Sequence, residues 1–276
     1  MTTEQYIQNK YEIKQCIGQG KFGKVFLGKN IHSGAPVAIK IETKAVSLLK
    51  REATIMRYLQ DNGVKNHIPT LLWFGVLNEE APKEEHKPCM VMSYCSGGAL
   101  NAMSNKTMGQ CISVLETIHA RGVIHRDIKP QNFMFDPRGN IQLIDFGLAA
   151  FIDADADVKV VRDTLFGTPR YASPHIHLGV MHSYRDDLIS LGYVYLHITT
   201  YGEYPRRPNS IAASESPLPQ ESIHHPLHLE AARGKQLNNL RGGCGKSIFD
   251  YLEYCYNLGG GTRVDYTYLR SLFLRP

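Results

Sequence analysis

The run His125-Arg126-Asp127-Ile128-Lys129-Pro130-Gln131-Asn132 is followed along the chain by Asp145-Phe146-Gly147. One carboxylate, one cation and two further oxygen ligands are thereby gathered in a short stretch. Those are the parts that moving a phosphoryl group onto a hydroxyl requires: a carboxylate to position the hydroxyl, a cation near the transferred phosphate, and ligands for one or two Mg²⁺ ions. Asp127 suits the first role, Lys129 the second, and Asn132 and Asp145 the third. Between the two clusters the chain reads as a hairpin. Phe133-Met134-Phe135 is apolar, Asp136-Pro137-Arg138-Gly139-Asn140 holds turn-forming types, and Ile141-Gln142-Leu143 alternates like a half-buried strand. A tight hairpin would bring Asn132 and Asp145 close at its open ends. That suits Mg²⁺, which takes few protein ligands and fills the rest of its shell with phosphate and water. The bland alternative is a surface hairpin with an incidental Asp, and four functional residues at these spacings weigh against it.

These residues need elements to position them. Gly18-Gln19-Gly20-Lys21-Phe22-Gly23 lies between apolar runs, Ile13 to Ile17 before and Val25-Phe26-Leu27 after. That pattern predicts strand, loop, strand, with glycines that let the backbone lie close over phosphates. A dinucleotide-binding fold shares the glycine spacing, but there it opens a helix and an acidic residue ends the second strand. Val37-Ala38-Ile39-Lys40-Ile41 predicts a further strand in which Val37, Ile39 and Ile41 face the core while Ala38 and Lys40 face the nucleotide. Lys40 alone would read as a solvated edge residue. Segment 47–60 has helical periodicity, however, with Leu48, Glu52, Ile55, Met56 and Leu59 on one face. Glu52 is then a charge inside an apolar stripe, costly unless paired, and Lys40 is the natural partner.

Composition bounds the rest. The chain has 276 residues, 43% of them hydrophobic, and a formal net charge of +5. It fits one large domain or two lobes, with enough apolar residues for a sizeable core. The charge is scattered, which argues against direct nucleic-acid binding. There is no long apolar run for a membrane span. Met1-Thr2-Thr3-Glu4-Gln5 is polar and unlike a secretory leader, so a cytoplasmic or nuclear protein is expected. The six cysteines form no CxxC pair and read as reduced packing residues. His224 and His228 have Pro226 between them and suggest no metal site. Gly242-Gly243-Cys244-Gly245-Lys246-Ser247 imitates a phosphate-binding loop, but Leu240 stands where that motif needs glycine, so it reads as a loop before a helix from Ile248 to Tyr256.

The catalytic-loop, metal-loop, glycine-loop and strand-lysine motifs together resemble those of protein kinases. Four further segments resemble the casein kinase 1 family: residues 64–75 (Val64 to Gly75), the substrate-side loop from Leu165-Phe166-Gly167-Thr168-Pro169-Arg170-Tyr171 to Gly179, Tyr184 to Tyr193, and Val264 to Phe273. The resemblance runs from about residue 11 to 274. It implies an α+β, bilobal protein-kinase fold: one kinase domain over 1–276, with a small β-rich N-lobe over about 1–92, a hinge over 93–98, a mainly helical C-lobe over 99–276, and an ATP cleft between the lobes. It implies ATP and Mg²⁺ as cofactors. Ile17, Gly18, Gly20, Gly23, Val25, Ala38, Lys40, Glu52 and Asp145 would serve the nucleotide, with Lys40 on the α- and β-phosphates. Backbone groups of Ser93 and Cys95 would hold adenine, and Met92 would stand at the back of the pocket, a role compatible with ordinary core packing. Thr168 should contact Asp127 and Lys129, and Asp187 should brace the catalytic loop.

Lysine at position 129 implies transfer to serine or threonine of protein substrates, acidic or pre-phosphorylated ones by the same resemblance, by a monomeric enzyme. Arg170 matches one basic residue of the family's anion-binding surface, while Asp163 stands where a basic residue is usual. Arg126 is a cation that in many kinases awaits a phosphorylated loop. Here Asp153, Asp155, Asp157 and Asp163 could meet it instead, so activity without phosphorylation of Thr164 is expected.

Departures from the family pattern are equally specific. His175 stands where most kinases carry glutamate after Pro174. One helix, Thr107 to Ala120, fills the interval from Leu100 to His125, where the family has more. The 203–222 segment reads as a long loop, and the chain stops soon after Phe273. Two other classes compete: a catalytically silent scaffold, which should have lost a catalytic residue, and a small-molecule phosphotransferase, which should lack the 167–171 loop.

Overall fold

The computed structural model describes residues 6–20, 23–42, 48–77, 86–152, 165–203, 226–241, 244–259 and 262–274. They form two compact units, Met1–Gly98 with Met134–Gly147, and Ala99–Phe133 with Leu148–Pro276.

The first unit is built on strands β1 (Tyr6–Ile7), β2 (Tyr11–Gln19), β3 (Gly23–Asn30), β4 (Pro36–Glu42), β5 (Leu71–Leu77) and β6 (Lys87–Ser93). They make one antiparallel sheet in the order β1-β2-β3-β4-β6-β5. Period-two alternation sends Val37 and Ile39 into a core with Ile7, Tyr11, Cys89 and Val91, and Ile41 packs against it as expected. Helix α1 (Leu48–Asp61) packs on β5 and β6 and buries Leu49, Glu52, Ala53, Ile55, Met56 and Leu59. The expected stripe was therefore misplaced at its start, where Leu49 and not Leu48 faces inward. The cause is the helix entrance. Buried Glu42, ending β4, accepts the Leu48 N–H at 3.0 Å and so caps the first turn from outside the helix. At the other end Gln60 Oε1 accepts the Leu71 N–H at 2.6 Å, tying α1 to β5.

The second unit is helical: α2 (Asn105–His119), α3 (Pro174–His177), α4 (Tyr184–Thr199), α5 (Pro226–Gly234), α6 (Leu237–Leu240), α7 (Lys246–Tyr256) and α8 (Tyr266–Leu274). Helix α2 begins two residues before the expected Thr107 because Ser104 caps it, its side chain accepting the Thr107 N–H at 3.1 Å. Its buried face is Met108, Cys111, Ile112, Val114, Leu115, Ile118 and His119. Helix α4 is buried along most of its length, with α2 and α7 packed on it, and α8 closes against α2 and α7. Helix α7 follows the loop and ends at Tyr256 as expected, but it starts at Lys246, two residues before the expected Ile248. Gly242, Gly243, the acidic loop 153–164 and most of 203–222 lie outside the described residues. Strand β7 (Val123–Ile124) leads into the catalytic loop and pairs with β10 (Ala150–Phe151). The intervening hairpin, β8 (Phe133–Phe135) and β9 (Ile141–Leu143), forms as expected. Asp136 Oδ1 accepts the Arg138 and Asn140 N–H groups, both at 2.8 Å, to make its turn.

All six cysteines are free. No helix among the described residues is long and apolar enough to cross a membrane.

Candidate active site

In the first unit Lys40 Nζ lies 2.7 Å from Glu52 Oε2 and 2.8 Å from Asp145 Oδ1. The sheet delivers Lys40 and the helix delivers Glu52, while Asp145 arrives on the strand-to-turn exit after β9 with φ at +67°. A non-glycine residue there carries backbone strain, which the surrounding contacts must hold in place. The Glu52 side chain is 2% exposed and that of Asp145 41%, so one carboxylate anchors the lysine and the other faces solvent. Burial alone would lower the Lys40 pKa, but Glu52 and Asp145 more than offset it and hold the ammonium charged above its ordinary value. Burial raises the Glu52 carboxyl, and the negative charge of Asp145 adds to that.

Most of the residues expected to face the nucleotide lie on β2, β3, β4 and β6 of the same sheet. Val25 pairs with Lys40 across β3 and β4, and Ala38 pairs with Met92 across β4 and β6. Gly18 pairs with Val25 next to a register shift that leaves Ile17 43% exposed, an apolar side chain left in water. Gly20 donates its N–H to Gly23 O at 2.9 Å, so the loop closes as a strand-to-strand turn; Lys21 and Phe22 lie outside the described residues. Nothing stands within 4 Å of a Cβ added at Gly20, whereas one at Gly23 would meet Ile41 O at 2.3 Å. The third glycine of the loop is therefore required by close approach of the next strand.

The segment after β6 is pinned rather than slack. Ser93 donates its N–H to Thr70 O at 2.9 Å, and its Oγ accepts the Thr70 N–H at 2.9 Å. That narrows the expected adenine contact of Ser93 to its carbonyl. Buried Cys95 donates from Sγ to Gln142 Oε1 at 3.2 Å, and burial lifts its thiol pKa to about 11. Gly97 N–H to Phe135 O, 3.0 Å, and Phe135 N–H to Gly98 O, 2.9 Å, fasten the expected hinge to β8.

The second unit carries Asp127, Lys129, Asn132 and Thr168 and brings all four together. Asp127 Oδ2 accepts from Lys129 Nζ at 2.6 Å and from Asn132 Nδ2 at 3.3 Å, and its Oδ1 accepts from Thr168 Oγ1 at 2.7 Å. Asn132 Nδ2 also donates to Asp127 O at 2.8 Å. With its donor end committed twice, the Asn132 amide keeps its oxygen for another partner, which is the orientation a cation ligand needs. The loop itself is held through its backbone. Asp187 of α4 accepts the His125 N–H at 2.7 Å and the Arg126 N–H at 2.9 Å, and Arg126 has φ at +67°. Asp187 is 2% exposed, and although burial opposes ionisation, His119 and the amide donors hold its carboxyl below the ordinary range.

Gly167 (φ +97°) packs so tightly that an added Cβ would meet Arg126 O at 2.3 Å. Arg126 donates from Nε to Leu148 O at 2.6 Å and stacks its guanidinium 5.0 Å from the Phe166 ring. It is thus engaged by described residues; the acidic residues proposed for it lie outside them. Arg170, expected to face an anion, donates from Nη1 to Gly202 O and meets His197 Nδ1, both at 3.3 Å, so part of its fork is already committed.

Three participants escaped sequence reasoning. His119 Nε2 lies 3.0 Å from Asp187 Oδ2, and its Nδ1 lies 2.6 Å from Tyr266 Oη, so α2 and α8 both support the catalytic loop through Asp187. His119 did leave a signal, a polar residue in the apolar stripe of α2, the same signal that found Glu52. Buried Lys235 donates to Pro169 O and Ala172 O and has no periodicity to betray it. Among the described residues no group of His, Cys, Asp and Glu forms a metal cluster by itself. A family model described as the protein kinase domain matches residues 11–225.

Proposed function

The chain belongs to the protein kinase domain family and has that family's two-lobed fold, a sheet-rich unit followed by a helical one; on this premise we propose that it transfers the γ-phosphate of ATP to serine or threonine side chains of proteins, in the manner of casein kinase 1 relatives. The observation that carries the reading is the convergence of Lys129, Asn132 and Thr168 on Asp127. A silent scaffold has no need of that arrangement, and a small-molecule phosphotransferase has no need of the Gly167–Tyr171 loop.

In this reading Asp127 orients the acceptor hydroxyl, and Lys129, already beside it, sits near the phosphate being moved. Lys40, fixed by Glu52, takes the α- and β-phosphates, under a loop whose Gly18 and Gly20 leave room for them. Ile17, Val25, Ala38 and Met92 offer apolar contact to the adenine, and Ser93 O and the Cys95 backbone hold its polar edge. Magnesium, when bound, supplies positive charge against the phosphates. Asn132, through its amide oxygen, and half-exposed Asp145 are the residues that would hold it. Lysine rather than another residue at 129 supports serine and threonine over tyrosine. Arg170 supports acidic or pre-phosphorylated substrates weakly, because Gly202 and His197 compete for it and Asp163 adds a negative charge to the segment before the substrate-side loop. Arg126 already has Leu148 O and Phe166, which supports activity without loop phosphorylation.

Radiolabelled ATP with casein, matched Ser, Thr and Tyr peptides, and the protein alone tests the proposal. Label on Ser and Thr peptides is expected, with modest gain from a phosphate three residues upstream. Transfer to tyrosine alone, to small molecules alone, or to nothing would overturn it.

A further inference from the structure

Lys235 is 3% exposed, and lysine is seldom so buried without an acid beside it. Among the described residues its partners are acceptors of another kind. Nζ donates to Pro169 O at 2.8 Å and Ala172 O at 2.6 Å, and lies 3.1 Å from His177 Nε2. The Tyr193 ring closes the remaining side, 5.1 Å from Nζ. Burial and nearby Arg170 both disfavour its charge, so these acceptors must offset a real cost. The lysine is itself held: its N–H bonds Ala231 O at 3.1 Å, and its carbonyl accepts from Tyr256 Oη at 2.5 Å. His177 Nε2 lies 3.1 Å from both Lys235 Nζ and Pro169 O, its Nδ1 faces His228 Nδ1 at 3.0 Å, and both imidazoles are fully buried.

The loop gripped in this way is the one the proposed function gives to the peptide. Its inner end is Thr168 on Asp127. Its middle is a turn in which Tyr171 and Ala172 both donate to Thr168 O, at 2.9 and 3.1 Å. Its outer end is the pair of carbonyls on Lys235. Beyond it stands His175, which brings no carboxylate to that end. We propose that Lys235 is a positioning residue for the peptide substrate: by binding Pro169 O and Ala172 O it sets the substrate-side loop, and through Thr168 the register of the acceptor hydroxyl against Asp127. The inference rests on the kinase reading above.

Lys235→Met keeps the length and apolar stem of the side chain and removes every donor. Peptide KM should rise about tenfold or more, since two carbonyls lose a charged donor at once. KM for ATP and ATP hydrolysis without peptide should stay within about twofold of wild type, because water as acceptor does not use the loop. Lys235→Arg, which restores donors, should recover most of the peptide affinity. If Lys235→Met does not fold, Lys235→Gln carries the same comparison, with a smaller rise in peptide KM expected. An unchanged peptide KM in the folded variant overturns the inference alone. So does an equal fall in peptide-free hydrolysis, ATP affinity and melting temperature, which would mark a merely structural lysine. Absence of peptide phosphorylation by the wild type, run alongside, overturns the kinase reading and this inference with it.

Discussion

In the first unit one ammonium, Lys40, lies between two carboxylates, Glu52 and Asp145; in the second one carboxylate, Asp187, lies under two main-chain N–H groups and an imidazole. The first arrangement joins side chains to side chains and leaves a surplus of negative charge, which would suit a divalent cation. The second joins a side chain to the backbone of the loop whose geometry matters. Amide donors cannot titrate, so that loop keeps its shape wherever Asp187 is ionised. One region sets charge and the other sets position, and variants in each should fail in different ways.

Asp127→Asn should show the largest effect. It keeps the size of the group that receives Lys129, Asn132 and Thr168 but removes its charge. A fall in kcat of about 10²–10⁴ is expected, the scale of a positioned acid–base group. Nucleotide affinity by calorimetry should change little. Activity within about threefold of wild type would break the assignment. Asp145→Ala belongs to the charge-setting side and should fail differently, losing Mg²⁺-dependent nucleotide binding and activity together. Nucleotide affinity that stays equally Mg²⁺-dependent would remove Asp145 from the metal site.

Much of this contrast was legible in the chain. Asp127, Lys129, Asn132 and Asp145 sit in two short motifs, and local spacing reports local geometry. Glu52 was found because a charge interrupts an apolar helical stripe. The expected stripe of α1 held at Glu52, Ile55, Met56 and Leu59 and missed only at its start, where Glu42, outside the helix, caps the first turn. The supports of the second unit were harder to read. His119, Asp187 and Tyr266 come from three separate helices, and Lys235 from an irregular segment between two more. Their contacts depend on how helices pack, which periodicity does not encode. Asp187 was expected from the family resemblance of its segment and His119 interrupts the apolar face of α2, whereas Tyr266 and Lys235 were not singled out.

Asp187→Asn sharpens the comparison at intermediate size. An amide has one acceptor oxygen where the carboxylate has two, so either the His125 or the Arg126 N–H loses its partner in a buried site. That leaves a cost of about 1–3 kcal/mol. A kcat lower by about ten- to a hundredfold, with KM for ATP unchanged, is the outcome expected of lost position. Glu52→Gln should do the reverse and raise KM for ATP more than it lowers kcat. If both variants gave the same split, the division between charge and position would not hold.

Mild acid offers the smallest and most selective test. Burial and Asp145 raise the Glu52 pKa above its ordinary 4.5, while Asp187 is lowered below its ordinary 3.8. The signs then differ. Glu52 takes up its proton more readily folded than unfolded, so acid costs no stability at that residue, but it strips Lys40 of its buried counter-charge. Asp187 contributes stability that is fully present above its unfolded pKa and is lost only as pH falls through its lower folded value. Lowering the pH towards the ordinary carboxyl range should therefore raise KM for ATP before Asp187 titrates, while kcat and melting temperature hold nearly steady. In Glu52→Gln that dependence should flatten, because the buried carboxyl whose pKa is raised is gone and only Asp145 stays beside Lys40. A rise in KM for ATP of the same size in the variant would place the titrating group elsewhere. An early loss of melting temperature in wild type would show that the second unit, not the first, yields first to acid.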